Sequence, residues 1–404
     1  MVSVSDTIAE GAAPAADPHR FQAGRVITIS AGHFVHDMYA SFLAPLLPTF
    51  IAAMALSKTE AGLLMIFMQS PSVLQPVIGN LADRVNLRAL VILGPAVTGV
   101  LMSLLGVAPG YAALALLLTL AGLSSAAFHS VAPPLAGALS GRKLGSGIGI
   151  WMVGGELGYT VGPLLVVSVV HSLTLKGTPW LMIIGFLATL LFYVRLRDVQ
   201  GAAPKPRERG DWKVLLHHMK PLLFPLISIS IARSFMVAGL STFLPVLMKE
   251  QGASLWIAGA SLSILQAAGV AGVLLAGSLS DTLGRRLTLA IVLASSPLLM
   301  FAFLAASGWA QFIILLLLGL TSLSVPTVLT ALVQETYPDH RALANGIYGS
   351  MHFIVYAIAV AVVGVLGDAF GLRAAFAAGA VATFVALPLL LLLPGDKPMP
   401  STGS

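Results

Sequence analysis

The sequence predicts an all-α membrane protein of twelve transmembrane helices arranged as two pseudo-symmetric six-helix bundles. Three observations predict it. Hydrophobic residues make up 57% of the 404 residues and charged ones 9%, where a soluble domain carries roughly a quarter charged. Such a chain cannot cover itself with polar surface. Apolar stretches of the length a helix needs to cross hydrocarbon, about 20 residues, follow one another almost from end to end. Finally, the chain repeats itself across one charged interval near its middle.

Taking charges, Gly/Pro clusters and hydropathy as punctuation, helices fall near 24–52, 60–82, 88–107, 110–137, 145–172, 178–196, 219–248, 255–280, 286–307, 309–334, 342–368 and 372–394. This divides the chain into an amino-terminal tail (1–23), a first bundle (24–197), a linker (198–218), a second bundle (219–394) and a carboxyl-terminal tail (395–404). A shift of about 197 to 199 residues superposes the bundles: Pro48 on Pro245, Ser57 on Ser254, Gln69 on Gln266, Asp83 on Asp281 and Arg142 on Arg341. Parallel six-helix repeats of this kind build a substrate site at the bilayer midplane and rock around it.

Basic residues set the expected orientation. With both termini inside, the cytoplasmic segments hold 17 of the 22 Lys and Arg residues, while Lys58, Lys176, Lys249 and Arg373 fall on the other face and Arg233 within a helix. That bias predicts cytoplasmic termini and a multi-pass protein of the cytoplasmic (inner) membrane. It also explains the net charge of +6 without a nucleic-acid partner. The first 23 residues lack the basic start and apolar run of a cleavable signal. Cysteine is absent, which excludes disulfides, thiolate nucleophiles and Cys-based metal sites. No nucleophile and base pair up near an interface, and no Gly-x-x-x-x-Gly-Lys-Ser/Thr loop marks ATP binding. The expectation is therefore a monomeric protein that is not an enzyme and uses no cofactor.

Two loops carry more specific information. Gly79-Asn80-Leu81-Ala82-Asp83-Arg84-Val85-Asn86-Leu87-Arg88 follows the second helix, and Gly277-Ser278-Leu279-Ser280-Asp281-Thr282-Leu283-Gly284-Arg285-Arg286 follows the eighth. Gly lets two helix ends approach, Asp suits a neighbouring helix N-terminus, and Arg clamps the same corner. These loops resemble the signature of the major facilitator superfamily. The resemblance implies twelve helices around a central pathway, with Gly79, Asp83, Arg84, Arg88, Asp281 and Arg285 as gating residues. On the fifth helix, Gly154, Gly158 and Gly162 share one face at four-residue spacing, which lets helices pack closely. With Pro163 they resemble the Gly-Pro motif of the superfamily's antiporters, so Gly158, Gly162 and Pro163 join the gating candidates.

His33-Phe34-Val35-His36-Asp37-Met38, Leu74-Gln75-Pro76-Val77-Ile78-Gly79, Ser124-Ser125-Ala126-Ala127-Phe128-His129 and Gln334-Glu335-Thr336-Tyr337-Pro338 are similar to the fosmidomycin-resistance branch, with departures at His36, Glu156 and Ser130. That resemblance implies proton-driven antiport exporting a small organic compound or drug. The alternatives are an importer of an organic anion, or a transition-metal transporter using His33, His36 and Asp37, which share a helical face.

Charges inside the membrane are functional candidates by default. Asp37, Glu156 and His36 are the candidates for proton coupling. His33, Asp37, Arg233, Gln69, Gln266, His129 and His352 are those for substrate binding. The repeat register sets His36 opposite Arg233, and the partner expected for Arg233 is either Asp37, because a carboxylate could trade an arginine partner for a proton, or an anionic group on the substrate. No separate metal site is assigned. The partners expected are a small-molecule substrate, protons and the lipid bilayer.

Overall fold

A computed structural model describes residues 21–82, 88–196, 212–337 and 341–394. Twelve helices in it are long and apolar enough to span a bilayer. In the first half they are α1 (Ala23–Met54), α2 (Lys58–Gly79), α3 (Arg88–Val107), α4 (Tyr111–Leu139), α5 (Ser146–Leu173) and α6 (Leu175–Leu196). In the second they are α7 (Leu216–Glu250), α8 (Leu255–Leu283), α9 (Arg285–Ala305), α10 (Trp309–Thr336), α11 (Ile347–Phe370) and α12 (Leu372–Leu392). The helix containing α7 already begins at Trp212, inside the interval read as linker. The rest of that interval, residues 1–20, the tail 395–404 and the motif residues Asp83 and Arg84 lie outside the described residues.

Lipid is the evident solvent. Leu187, Leu190, Leu274, Leu275, Leu298 and Ile313 each expose about 60% of their surface, which water would not tolerate on this scale. The repeat is visible in local chemistry as well. Ser57 caps α2 by accepting from Glu60 N, and Ser254, 197 positions later, caps α8 by accepting from Ile257 N. Matching interruptions follow: α1 breaks at Ser41 and Phe42, and α7 carries a π-helical turn over Gly239–Phe243 ahead of Pro245. Such turns recur at functional sites.

The packing forms a V. Around Lys58 one hydrophobic core serves both halves, joining Phe50, Leu64 and Val167 to Phe243, Leu262 and Val360. Toward the termini it divides in two: Val26, Phe128, Trp151 and Phe192 belong to the first half only, and Met219, Leu289, Val333 and Tyr348 to the second. On that side a Cβ added to Gly79, Gly149 or Gly349 would meet nothing within 4 Å.

Polar contacts hold the joined end. The Asp368 carboxylate of α11 accepts from Lys58 N at 2.7 Å, Thr59 N at 2.9 Å and Thr59 Oγ1 at 2.6 Å. It thus caps the N-terminus of α2 across the two halves, where the helix dipole favours an anion. Lys58 Nζ pairs with Glu250 at 3.1 Å, and Trp256 Nε1 donates to Ser168 Oγ at 3.3 Å.

This seam can be tested with a single reporter, since the chain has no native thiol. In Ser168→Cys, adding Asp368→Ala removes three hydrogen bonds worth about 1 kcal/mol each. Labelling by a membrane-impermeant maleimide should accelerate about fivefold or more. An unchanged rate would mean that the apolar core alone holds this end.

Candidate functional site

The site starts from how closely α5 approaches α1. A Cβ at Gly154 would strike the Ser30 carbonyl, one at Gly158 the Phe34 carbonyl, and one at Gly162 the Met38 carbonyl and Ser41 Oγ. The ladder therefore lets α5 lie against the backbone of α1. Gly155, beside it, faces the polar side chains: a Cβ there would stand 2.6 Å from His33 Nε2 and 2.7 Å from Asp37 Oδ2.

Asp37 and His33 are 4% exposed and sit one turn apart on α1. His33 Nε2 lies 3.0 Å from Asp37 Oδ2, and His129 Nε2 of α4 lies 3.4 Å from Asp37 Oδ1 and 3.2 Å from His33 Nε2. The outer nitrogens settle the tautomers. His33 Nδ1 reaches the Trp151 carbonyl at 2.8 Å and His129 Nδ1 the Ser125 carbonyl at 3.0 Å. A carbonyl only accepts, so His33 Nδ1 carries the hydrogen, and His129 Nδ1, which also has Ser125 Oγ at 3.2 Å, carries it when it serves the carbonyl. Both Nε2 atoms of the neutral rings are then bare, and with Asp37 they make acceptors facing acceptors. Such an arrangement is satisfied only by a cation among them, a proton being the smallest. Trp151 also stacks on His33, with centroids 3.8 Å apart at 8°, which fixes the ring plane.

His36 takes no part in this cluster. Its ring stacks on Phe128 at 4.4 Å and its Nδ1 meets Thr98 Oγ1 at 3.3 Å. The face that the α1 pattern assigned to His33, His36 and Asp37 is divided, because Phe128 of α4 draws one imidazole away while His129 moves in. Glu156 is half-buried next to Gly155, within electrostatic reach of Asp37 and His33.

The pair expected between Asp37 and Arg233 does not form. Arg233 is 2% exposed and donates through Nη2 to the Ser322 carbonyl at 3.0 Å, while Nη1 has no hydrogen-bond partner. Among the described residues, no carboxylate pairs with it. A charge in the bilayer centre costs at least about 2.5–3.5 kcal/mol on insertion scales, so a lone carbonyl is sparse compensation.

Arg233 lines a midplane cavity of ≈ 270 Å³ between the halves. Its wall repeats the sequence register: Ala40 and Val237, Ala44 and Ser241, Met65 and Leu262, Gln69 and Gln266, and Tyr159 and Tyr356 all line it, each pair 197 positions apart. The two glutamines were readable from the sequence. The two tyrosines were missed, though the same shift superposes them. His352 also lines the cavity, at the position equivalent to Gly155.

Of the gating candidates, Asp281 pairs with Arg285 at 2.7 Å, and Arg285 with Glu335 at 2.6 Å. Arg285 also donates to Ser280 Oγ. Glu335, absent from the sequence-based site, therefore ties the α8–α9 loop to the end of α10. Gly79 stands in open space, and Arg88 begins α3. The Pro163 carbonyl would lie 3.3 Å from a Cβ at Gly259 of α8, so the end of the ladder meets the second half.

Two bundles, a midplane cavity between them and buried charges beside it define a secondary transporter. The chain belongs to the Major Facilitator Superfamily, whose family model matches residues 29–340 and 287–404. It is 25% identical to the fosmidomycin resistance protein of Escherichia coli (strain K12) over 369 residues, covering 89% of this chain and 90% of that one. It is 26% identical to the uncharacterized MFS-type transporter YfnC of Bacillus subtilis (strain 168), over 92% and 93% of the two chains. Among solved structures, a bacterial homolog of the human lysosomal transporter Spinster, inward-facing and unoccupied, superposes with a TM-score of 0.73 at 16% identity, covering 92% of this chain and 95% of that one.

The tight approach at Gly155 gives a stability prediction. Gly155→Ala pushes a methyl into His33 and Asp37, and overpacking of this kind costs about 1–3 kcal/mol. The melting temperature of detergent-purified protein should fall by several degrees, whereas Gly349→Ala, in open space, should leave it unchanged. Equal melting of the two variants would contradict the packing described.

Proposed function

We propose that this transporter is a proton-driven antiporter of the cytoplasmic membrane that exports a small organic compound, with His33, Asp37 and His129 as the proton-coupling group. The convergence of two bare Nε2 atoms on one buried carboxylate carries this reading, because the cluster needs a cation and a proton fits it at hydrogen-bond distance. The similarity to the fosmidomycin resistance protein supports drug export, and the α5 glycine ladder supports antiport. With the termini cytoplasmic, as the distribution of basic residues favours, the parted end of the V faces the cytoplasm and loads substrate from there. Glu156, within electrostatic reach of Asp37 and His33, is the next carboxylate a leaving proton would meet. Asp83, Arg84, Arg88, Asp281 and Arg285, on the loops of the cytoplasmic end, would gate it.

A second reading loads the same trio with a divalent ion. One donor atom from each of His33, Asp37 and His129 lies within 4.8 Å of the others, with His129 in the place expected for His36. The proton is preferred because it needs no rearrangement.

The test uses everted vesicles with an acid interior. A compound that stabilises the purified protein in a melting screen of antibiotics, phosphonates, organic anions and divalent metals should collapse the pH gradient through the wild type. Through Asp37→Asn and His129→Ala the collapse should fall about tenfold or more, below the roughly hundred- to ten-thousandfold that a positioned proton-transfer group is usually worth. Collapse at the wild-type rate through Asp37→Asn would end the proton reading, and stabilisation by Zn²⁺ alone would favour the metal.

A further inference from the structure

We propose that Arg233 and the polar groups around it form the receiving site for an oxyanion headgroup on the transported compound, with the apolar part of the cavity wall taking its body. The inference rests on reading the chain as a carrier with a central cavity, and it does not depend on the direction of transport.

A guanidinium cannot lose its charge in a protein, and Arg233 is buried with Nη2 on a carbonyl and Nη1 on nothing. Its neighbourhood is short of acceptors in the same way. Ser322 Oγ and His352 Nδ1 are buried without a hydrogen-bond partner, and Ser230 Oγ and Tyr348 Oη have at most each other. Ser230 lies one turn before Arg233 on α7, Ser322 supplies the carbonyl that Arg233 uses, and Tyr348 and His352 lie within electrostatic reach of the guanidinium on α11. Potential donors therefore gather around one fixed positive charge, and the acceptor that would satisfy them is missing. Native structures seldom leave so many buried polar atoms unpaired in one place.

The comparison between halves strengthens the point. Five cavity-lining pairs obey the twofold register, and six lining residues do not, among them Arg233 and His352. Their equivalents are His36, stacked on Phe128, and Gly155, packed against His33 and Asp37. The one charged departure from symmetry in the wall is thus a cation with unused donors. Met65, Val237, Leu262, Leu323 and Phe353 supply an apolar surface beside it, so the ligand class is a small, largely apolar molecule ending in a phosphonate, phosphate or carboxylate. Arginine's planar fork suits such groups with two parallel bonds.

The test is a melting assay on the detergent-purified full chain at fixed pH without a gradient, so it succeeds or fails separately from proton coupling. The probes share a phenyl body: phenylphosphonate, benzoate, benzylammonium and benzyl alcohol. Phenylphosphonate or benzoate should stabilise the wild type, while benzylammonium and benzyl alcohol should not. Arg233→Gln should weaken the oxyanion about ten- to a hundredfold, the usual worth of a charged hydrogen-bonding partner, and Arg233→Lys should fall between. If Arg233→Gln fails to fold, Arg233→Lys and His352→Ala provide the same comparison. Equal stabilisation by benzylammonium, or phenylphosphonate binding untouched in these variants, would overturn the proposal. Oxyanion binding without any collapse of the pH gradient would keep this site and remove the antiport reading; the reverse would remove this site and keep antiport.

Discussion

Inside hydrocarbon a charge has no water to fall back on, so the protein must complete it. Asp37 and Arg233 answer that constraint in opposite ways. Asp37 is surrounded by two imidazoles whose outer nitrogens are anchored on backbone carbonyls, so its surroundings are complete once a proton is present. Arg233 has a single carbonyl and spare donors. Much of the local architecture follows from serving the first arrangement. The α5 glycines exist where α1 must come close, Trp151 fixes the His33 ring, and Phe128 pulls His36 aside so that His129 can reach the carboxylate.

The two charges also constrain the transport cycle. An anion arriving at Arg233 would, by charge alone, draw a proton toward the Asp37 cluster. The antiport proposed here would require that the two loads occupy different conformations, and the fold has a joined end and a divided end. A single core and the Asp368 cap join the halves at the Lys58 end, while separate cores let them part at the other. The breaks at Ser41–Phe42 and Gly239–Phe243 border the cavity, so both halves can bend at the depth where substrate is held.

Much of this was legible in the sequence because it depends on local composition or on the repeat. Hydropathy located the spans, and the 197-residue register identified Gln69 and Gln266 as a pair before any cavity was seen. Carried one step further, it would have found Tyr159 and Tyr356. Helical spacing placed His33 and Asp37 together correctly, but it also added His36, since a face of one helix says nothing of what neighbouring helices offer. The contribution of His129 depends on how α4 packs against α1, and the separation of Asp37 from Arg233 on how the two bundles meet. Neither is encoded in spacing. Asp368 escaped notice because it lies at a helix end, where an acidic residue looks like ordinary solvated surface.

The central claim is that two histidines with anchored outer nitrogens share a proton with Asp37. Nitrogen-15 spectra of histidine-labelled protein in lipid bilayers, assigned with His33→Gln and His129→Gln, read this directly. The account predicts that His33 and His129 keep hydrogen on Nδ1, that a single proton is shared between their Nε2 atoms and Asp37, and that both rings change jointly in Asp37→Asn. Independent behaviour of the two rings, or hydrogen resting on Nε2 with a bare Nδ1, would contradict it.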